Sequence, residues 1–265
     1  MPTIKKPNQH FDATLYTGDG ASTKTVSGLN FQSDFIWIKR RDGASDHNLQ
    51  DAVRGFSSLT KLSSSSSYGE GTVDGLYTDP KWGYVSAVSS TGFTVTKSTN
   101  GDHVNYSASP YVAWAWKAGN STTVNTSGAI SSNVSVNTTA GFSIVTHTGA
   151  GAGAGTVGHG LGAAPKFMII KSRTNTANYA VYHVSLGINQ LLSINTTGAI
   201  DTISNYWGSS SPTSTVFGVY TGNNIGNNNY LNQATVAYCW AEVAGYSKFG
   251  SYTGNGSTDG PFVYC

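Results

Sequence analysis

The carboxylate residues do not have the arrangement that hydrolysis of a glycosidic bond needs. That reaction uses two carboxyl groups held at a fixed separation on either side of the scissile bond. The chain has two glutamates, Glu70 and Glu242, which lie far apart in the sequence. Asp74 lies close to Glu70, but this pair is in a glycine-rich segment that fixes no separation. Because the histidines are also scattered and no serine lies in a nucleophile-elbow motif, we predict that the protein is not an enzyme.

The densest acidic cluster lies in the segment RRDGASDHNLQD, residues 40–51. Asp42, Asp46 and Asp51 place several carboxylate oxygens in a flexible loop, which is what calcium binding requires. The same residues also suit a solvated turn, in which Asp side chains bond to nearby backbone and neighbouring arginines balance the charge. We favour the solvated turn and predict no cofactor, and a calcium site at these three aspartates is the alternative.

Aromatic residues in polar loops form the second candidate site. Tyr and Trp beside Asn, Ser and Gly are typical of surfaces that bind sugars or proteins, because each ring offers a flat apolar area with a polar edge. The same residues also pack loops against a core, and the sequence leaves both interpretations open. The candidates for contact with a glycan or with another subunit are Tyr77, Trp82, Tyr84, Tyr206, Trp207 and Tyr230.

The composition predicts an all-β protein. Charged residues make up 11% of the 265 residues and aromatic residues 12%, and glycine is abundant. Aromatic and β-branched residues suit pleated strands, and glycine suits the tight turns between them. The net charge of +2 argues against a nucleic-acid-binding protein. No segment approaches the ~20 apolar residues of a membrane helix. We therefore expect neither membrane insertion nor, given the net charge, a nucleic-acid partner.

The chain contains the same phrase twice. Residues 28–39 and 160–171 both place Gly-Leu before a four-residue apolar run that ends in lysine. A second match pairs VAWAWKAG at 112–119 with VAYCWAEVAG at 236–245, with a different but constant offset. One duplication with one insertion in the first copy explains both offsets. The inserted residues include the serine run 63–67, which we expect at a loop tip.

The apolar runs of this phrase predict strands that are buried on both faces. Phe35–Ile38 and Phe167–Ile170 are continuous apolar stretches bounded by polar residues, without helical flanks. The lysine after each run, Lys39 or Lys171, is expected at the solvent boundary, where its alkyl stem covers apolar surface. In YVAWAWKA, large residues alternate with alanine, which fits two stacked sheets. The repeated phrase therefore builds a core.

These elements resemble a known family. YTGDG, FIWIKRRDG, GFTV and YVAWAWKAG occur in this order, and they resemble repeat modules in structural proteins of tailed, often marine, phages, with domains of the concanavalin A-like lectin/glucanase type. The resemblance covers residues 11–119 well and 141–245 more loosely. The segment 181–187 lacks the acidic and arginine positions of the pattern. The resemblance implies a virion part such as a tail fibre, an appendage or a capsid decoration, and it does not imply an enzyme.

The repeats and the resemblance predict the domain organisation. After an N-terminal arm (1–10), two antiparallel β-sandwich modules of jelly-roll, concanavalin-like type are expected at 11–119 and 141–245. The uncharged segment 120–140 between them is expected to be a linker or an extended edge. The segment 246–265 begins like a third repeat, because it contains YTGNG. We expect it to add a strand to the second module or to a neighbouring subunit.

The expected function is that of a non-enzymatic structural protein of a phage virion. It would act through multivalent assembly and attachment, with further copies of itself and other virion proteins as partners. The alternative is a carbohydrate-binding protein of the phage tail, which recognises polysaccharide on the host surface. Because the first residues lack the apolar segment of a signal peptide, we expect synthesis in the host cytoplasm and localisation in the virion.

Overall fold

Antiparallel strands form every sheet of the structure. The structure is a computed structural model that describes residues 4–70, 82–100, 102–151, 153–220 and 231–263. Within these residues, seventeen strands form five sheets, and helical structure is limited to two 3-10 turns, Pro7–Gln9 and Ser58–Thr60. The predicted all-β class is confirmed. No helix in the described ranges has the length and apolar character needed to cross a bilayer.

The first module is a sandwich of a four-stranded and a three-stranded sheet. The strand orders are β1-β7-β3-β4 and β2-β6-β5. Their facing sides enclose one core, to which Ile36 and Tyr111 contribute from the large sheet and Phe93 and Val95 from the small one. The strands are β1 (Phe11–Thr17), β2 (Thr23–Ser27), β3 (Phe35–Arg40), β4 (Asn48–Asp51), β5 (Tyr84–Ser89), β6 (Gly92–Thr96) and β7 (Pro110–Trp116).

The second module places a six-stranded sheet of order β13-β12-β17-β10-β9-β8 over a two-stranded sheet, β11-β16. The core between them includes Val145, Met168, Phe217 and Cys239. A further two-stranded sheet pairs β14 with β15. The strands are β8 (Thr123–Asn125), β9 (Ser132–Asn137), β10 (Phe142–Thr148), β11 (Ala154–Gly158), β12 (Phe167–Ser172), β13 (Ala180–His183), β14 (Gln190–Leu191), β15 (Asp201–Thr202), β16 (Val216–Tyr220) and β17 (Ala234–Trp240).

The two modules share one topology. The order β1-β7-β3-β4 of the first module returns as β10-β17-β12-β13 in the second, and the pair β2-β6 returns as β11-β16. β5 pairs with β6 in the first module, whereas β16 of the second module pairs with β11 alone among the described strands. The segment 120–140 contains β8 and β9, which extend the large sheet of the second module beyond β10.

The two large sheets pack face to face, so the molecule has four layers. Along β3, Ile36 and Ile38 point into the core of the first module, whereas Phe35 and Trp37 point toward the second module. β12 alternates in the same way, with Met168 and Ile170 inside and Phe167 and Ile169 toward the first module. Both faces of each repeated strand are therefore covered, as its continuous apolar run predicts.

Two segments differ from their expected placement. The serine run 63–67 is not a free loop tip: Ser63 and Ser64 are buried, and the Ser67 carbonyl accepts a hydrogen bond from the Ala177 N–H (2.8 Å). The C-terminal segment adds no strand to the second module within its described residues, 246–263. After Phe249, which stacks on Phe167 at 5.8 Å, that segment is exposed.

Candidate functional site

The structure separates the six aromatic residues predicted to form a contact surface. Tyr206 and Trp207 are 2% and 0% exposed and lie in the core of the second module. The prediction of a contact surface at these two residues is therefore wrong. The turn that carries them lies flat on β16, because Gly218 has no side chain: a Cβ there would lie 2.1 Å from the Trp207 carbonyl oxygen. Tyr77 and Tyr230 lie outside the described residues.

Trp82 and Tyr84 are half-buried beside the first module's core. The Trp82 ring stacks on His103, with 5.3 Å between ring centroids and an interplanar angle of 11°. Burial, together with the nearby charge of Lys61, lowers the pKa of His103 to about 2. The imidazole is therefore neutral at physiological pH and supports one face of the Trp82 ring.

The three aspartates of the calcium alternative do not converge. The Asp42 carboxylate accepts from Arg40 Nε (2.6 Å), and Asp46 accepts from the Ser65 hydroxyl (2.8 Å). Asp51 is fully buried and bound to Arg54. No group of three His, Cys, Asp or Glu residues in the described part of the chain is placed to hold a metal ion. A shared calcium site at these residues is therefore wrong, since each carboxylate is engaged elsewhere.

Two matching aromatic rows form the centre of the interface between the modules. In each module a tryptophan of the central strand lies between two phenylalanines of the neighbouring strands. The two tryptophans meet with 6.1 Å between ring centroids, and Phe35 stacks on Tyr238 at 4.2 Å. The interface is thus built from equivalent positions of both copies. The aromatic rows are Phe11-Trp116-Phe35 and Phe142-Trp240-Phe167.

A buried network of charged side chains connects the two modules beside the aromatic rows. Arg54, fully buried, donates from Nε to Asp51 Oδ2 (2.5 Å) and from Nη1 to Glu70 Oε1 (2.8 Å). Its Nη2 donates to the Tyr238 hydroxyl of the second module (2.9 Å), and that hydroxyl donates to Asp51 Oδ2 (2.8 Å). Although burial alone would lower the pKa of Arg54, the charges around it raise that pKa well above its usual value, so the guanidinium stays charged.

The segment that follows Arg54 extends this network across the interface as a strap, residues 56–70. Glu70 Oε1 also accepts from Arg173 Nε of the second module (2.7 Å), and the Glu70 N–H donates to the Arg173 carbonyl (2.7 Å). Gly69 allows this approach, because a Cβ there would lie 2.5 Å from the same carbonyl oxygen. The strap therefore fixes the two modules through directional, charge-assisted bonds.

The repeated lysines clamp the turns that follow their strands. Lys39 Nζ donates to the carbonyls of Arg40 (2.7 Å) and Gly43 (2.8 Å). Lys171 Nζ donates to the equivalent carbonyls of Ser172 (2.7 Å) and Asn175 (3.3 Å). The predicted position at a solvent boundary is wrong for Lys171, which is 0% exposed. Burial lowers its pKa to about 7, against an opposing effect of Glu70.

An open groove of about 610 Å³ runs along one side of the aromatic rows. All row residues except Phe35 line it, together with Trp37 and Tyr246, and Phe249 contributes to its wall through the stack on Phe167. Few polar groups reach this aromatic groove, chiefly those of Ser247 and Lys248. The groove suits ligands with a flat apolar face, such as a sugar ring or an aromatic side chain. It offers no carboxylate pair for hydrolysis among its lining residues.

Sequence reasoning missed the charged network and the aromatic groove. The aromatic rows had a signal, because aligning the two copies places Phe11 with Phe142, Phe35 with Phe167 and Trp116 with Trp240. Such matched aromatic positions indicate a symmetric contact between copies. The network had a weaker signal, since Arg54 and Glu70 occur in the first copy alone.

The comparisons with known proteins were made with the whole chain. A family model described as a domain of unknown function (DUF7483) matches residues 6–265. No curated protein and no solved structure matches the chain. One family model therefore spans both modules and the segment that follows them.

Replacing Arg54 with methionine should lower the free energy of unfolding by about 3–5 kcal/mol, because it leaves the Asp51 carboxylate buried without its charge partner. Chemical denaturation followed by tryptophan fluorescence measures this loss. Arg41→Met, at an exposed position, is the matched control and should change stability by less than about 0.5 kcal/mol. The double variant Asp51→Asn/Arg54→Met should recover part of the loss. A loss below about 1 kcal/mol for Arg54→Met would contradict the structural role of the network.

The burial of Lys171 should make stability depend on pH. Its pKa is about 7 in the folded protein, below the ordinary value of 10.5 that it regains on unfolding, so between these values the unfolded chain binds the extra proton. The free energy of unfolding of the native protein should therefore rise with pH in this window, relative to Lys171→Met, by up to about 1.4 kcal/mol per pH unit. Urea denaturation at several pH values measures this difference. Lys39→Met, at the equivalent but partly exposed position, is the matched control, and equal pH dependence in both variants would refute the effect of burial.

Proposed function

The chain belongs to the family described as a domain of unknown function (DUF7483), and from that premise we propose that it is a non-enzymatic structural protein of a phage virion. In this role it is a rigid building unit that acts through many copies in a fibre, an appendage or a capsid decoration. Its partners are further copies of itself and other virion proteins. The resemblance of the repeated strands to phage repeat modules supports the virion as its location.

The observation that carries this proposal is the fusion of two sandwich modules into one four-layer block. The aromatic rows and the charged network both join the two modules, which supports a unit that behaves as one rigid body. A unit that transmits position or force through an assembly requires such rigidity, whereas a pair of flexibly linked binding domains does not. The burial of Tyr206 and Trp207 points the same way, because it assigns prominent loop aromatics to packing.

Purified particles of a phage that encodes the chain provide the direct test. Mass spectrometry of particles from a density gradient should recover its peptides at a constant, multi-copy ratio to the major capsid protein. Cryo-electron microscopy of the same particles should then locate density that fits the four-layer block. Recovery of the chain only in the unassembled fraction of the lysate would overturn the proposal. A soluble marker enzyme of the host, measured in the same fractions, controls for contamination.

The aromatic groove favours carbohydrate recognition as a second candidate function. Its flat aromatic walls match the apolar faces of sugar rings, and Ser247 and Lys248 provide polar contacts at the rim. In this role the protein would bind host-surface polysaccharide during attachment, and multivalency would strengthen weak single contacts. The half-exposed Trp82 would be the next surface to consider.

Phe249→Ala should weaken binding to polysaccharide extracted from the host by roughly tenfold, because it removes one stacking wall of the groove. Isothermal titration calorimetry with the native and variant proteins measures this change. Leu59→Ala removes an apolar side chain at a position that is 63% exposed and outside the groove, and it should leave affinity unchanged. Absence of binding by the native protein, or equal losses in both variants, would exclude the groove as a glycan site.

A further inference from the structure

β1 forms an open edge of the first module's large sheet. In the order β1-β7-β3-β4 it pairs with β7 alone, and no described strand lies on its other side. Its seven residues form a regular antiparallel ladder with β7 from Phe11 to Thr17. Along this strand Ala13, Leu15 and Thr17 are exposed, Leu15 at 63%. A long, regular and partly apolar edge of this kind is a template for another strand.

The hydrogen-bond pattern identifies which backbone groups point outward. The Lys117 N–H donates to the His10 carbonyl, and the Gly18 N–H donates to the Ser109 carbonyl (2.8 Å each). Because the pattern alternates along an antiparallel pair, the even-numbered residues of β1 bond to β7. The odd-numbered residues therefore direct their N–H and C=O groups to the open side. The outward Ala13 N–H is bound only locally, by the carboxylate of its neighbour Asp12 (2.9 Å).

The equivalent edge of the second module is covered. β10 corresponds to β1, and its outer side pairs with β9 in antiparallel register from Phe142↔Asn137 to His147↔Ser132. β9 belongs to the chain segment that follows the first module. The fold thus shows how this edge is completed: the segment that follows one module covers the first strand of the next module.

The end of the segment that follows the second module pairs with no strand edge of its own chain within the described residues. Residues 250–263, which we call the tail, form no strand, and their described hydrogen bonds are local, as between Asn255 and Asp259. The tail nevertheless exposes apolar side chains: Tyr252 at 69%, Phe262 at 90% and Val263 at 53%. It occupies the same place after its module as β8 and β9 occupy after theirs. The chain therefore has an unpaired edge at β1, and its tail holds the place after a module from which such an edge is paired.

We propose that the tail of one copy pairs as an antiparallel strand with β1 of a second copy. The pairing satisfies the outward backbone groups of Ala13, Leu15 and Thr17 and buries apolar side chains of the tail. Pro261 is compatible with this pairing. Proline has no backbone N–H, and the added strand is an edge strand whose outer side needs no N–H for pairing. Donor and acceptor are different surfaces, so the contact is head-to-tail and extends into a ring or a filament. This inference rests on the proposed assembly role and specifies its contact.

The experiment uses two variants of the full chain with complementary defects. Ala13→Pro removes an outward N–H from β1 while leaving its bonds to β7, so this variant keeps the tail but cannot accept one. A variant that ends after Phe249 keeps β1 and the groove wall but has no tail. Sedimentation equilibrium should show native protein whose mass rises with concentration above the 27.8 kDa monomer, whereas each variant alone should remain at the monomer mass.

Mixing the two variants is the decisive measurement. Head-to-tail pairing predicts a one-to-one complex whose mass is the sum of the two variants' masses and no larger species, because the tail of the Ala13→Pro protein binds β1 of the truncated protein. If two copies instead pair through β1 with β1, the truncated variant alone will dimerise and the mixture will contain no such complex, which would overturn the inference. Native protein that remains monomeric at all concentrations would also overturn it, while leaving the detection of the chain in particles as a separate test of the proposed function.

Leu15→Lys guards against a folding defect of the proline variant. A lysine on the exposed face of an edge strand opposes pairing without changing the backbone. It should shift the concentration at which native protein associates upward by at least about tenfold. Circular dichroism and thermal unfolding of all variants verify the native fold. Association of Leu15→Lys equal to that of native protein would contradict the role of β1.

Discussion

The lack of a polar face on the repeated strands is the constraint on which the rest of the structure depends. β3 and β12 carry apolar side chains on both sides, so both faces of each large sheet must be packed against other parts of the protein. The small sheet of the same module provides one cover, and the other module provides the second. A separate module would expose its Phe-Trp-Phe row to water, which is unfavourable for an apolar area of that size. Because both copies have the same requirement, packing the two outer faces together satisfies both at once.

Apolar contact alone does not determine how two sheets are rotated on each other, since it has little directionality. The charged network supplies that direction through short bonds between Arg54, Asp51 and Tyr238. The network occurs once, although the aromatic rows are nearly symmetric. The strand registers place Asp51 opposite Phe35 and His183 opposite Phe167, so His183 holds the position of Asp51 in the second copy. The weaker repeat pattern of residues 181–187 therefore reflects the absence of a second network.

The sequence allowed the all-β class and the doubly covered strands of the repeated phrase to be predicted, because the repeated apolar runs and alternating residues report local burial. It did not show what covers the outer faces, since an apolar side chain does not identify its partner. The polar neighbours of Tyr206 and Trp207 make these residues candidates for a contact surface as well as for loop packing. The turn that buries them depends on Gly218 in the neighbouring strand β16, whose missing side chain leaves room for it. Contacts that depend on such a missing side chain have no periodic pattern by which a single sequence reveals them.

The strap shows how a segment of the first module supplies charge partners to the second. The turn after β12 concentrates positive charge, with Lys171 buried and Arg173 close by. Glu70, at the end of the strap, pairs with Arg173 and opposes the effect of burial on the pKa of Lys171. The same carboxylate oxygen accepts a bond from Arg54. Glu70 thus balances charge in both modules, and neither module has its full set of charge partners without the other.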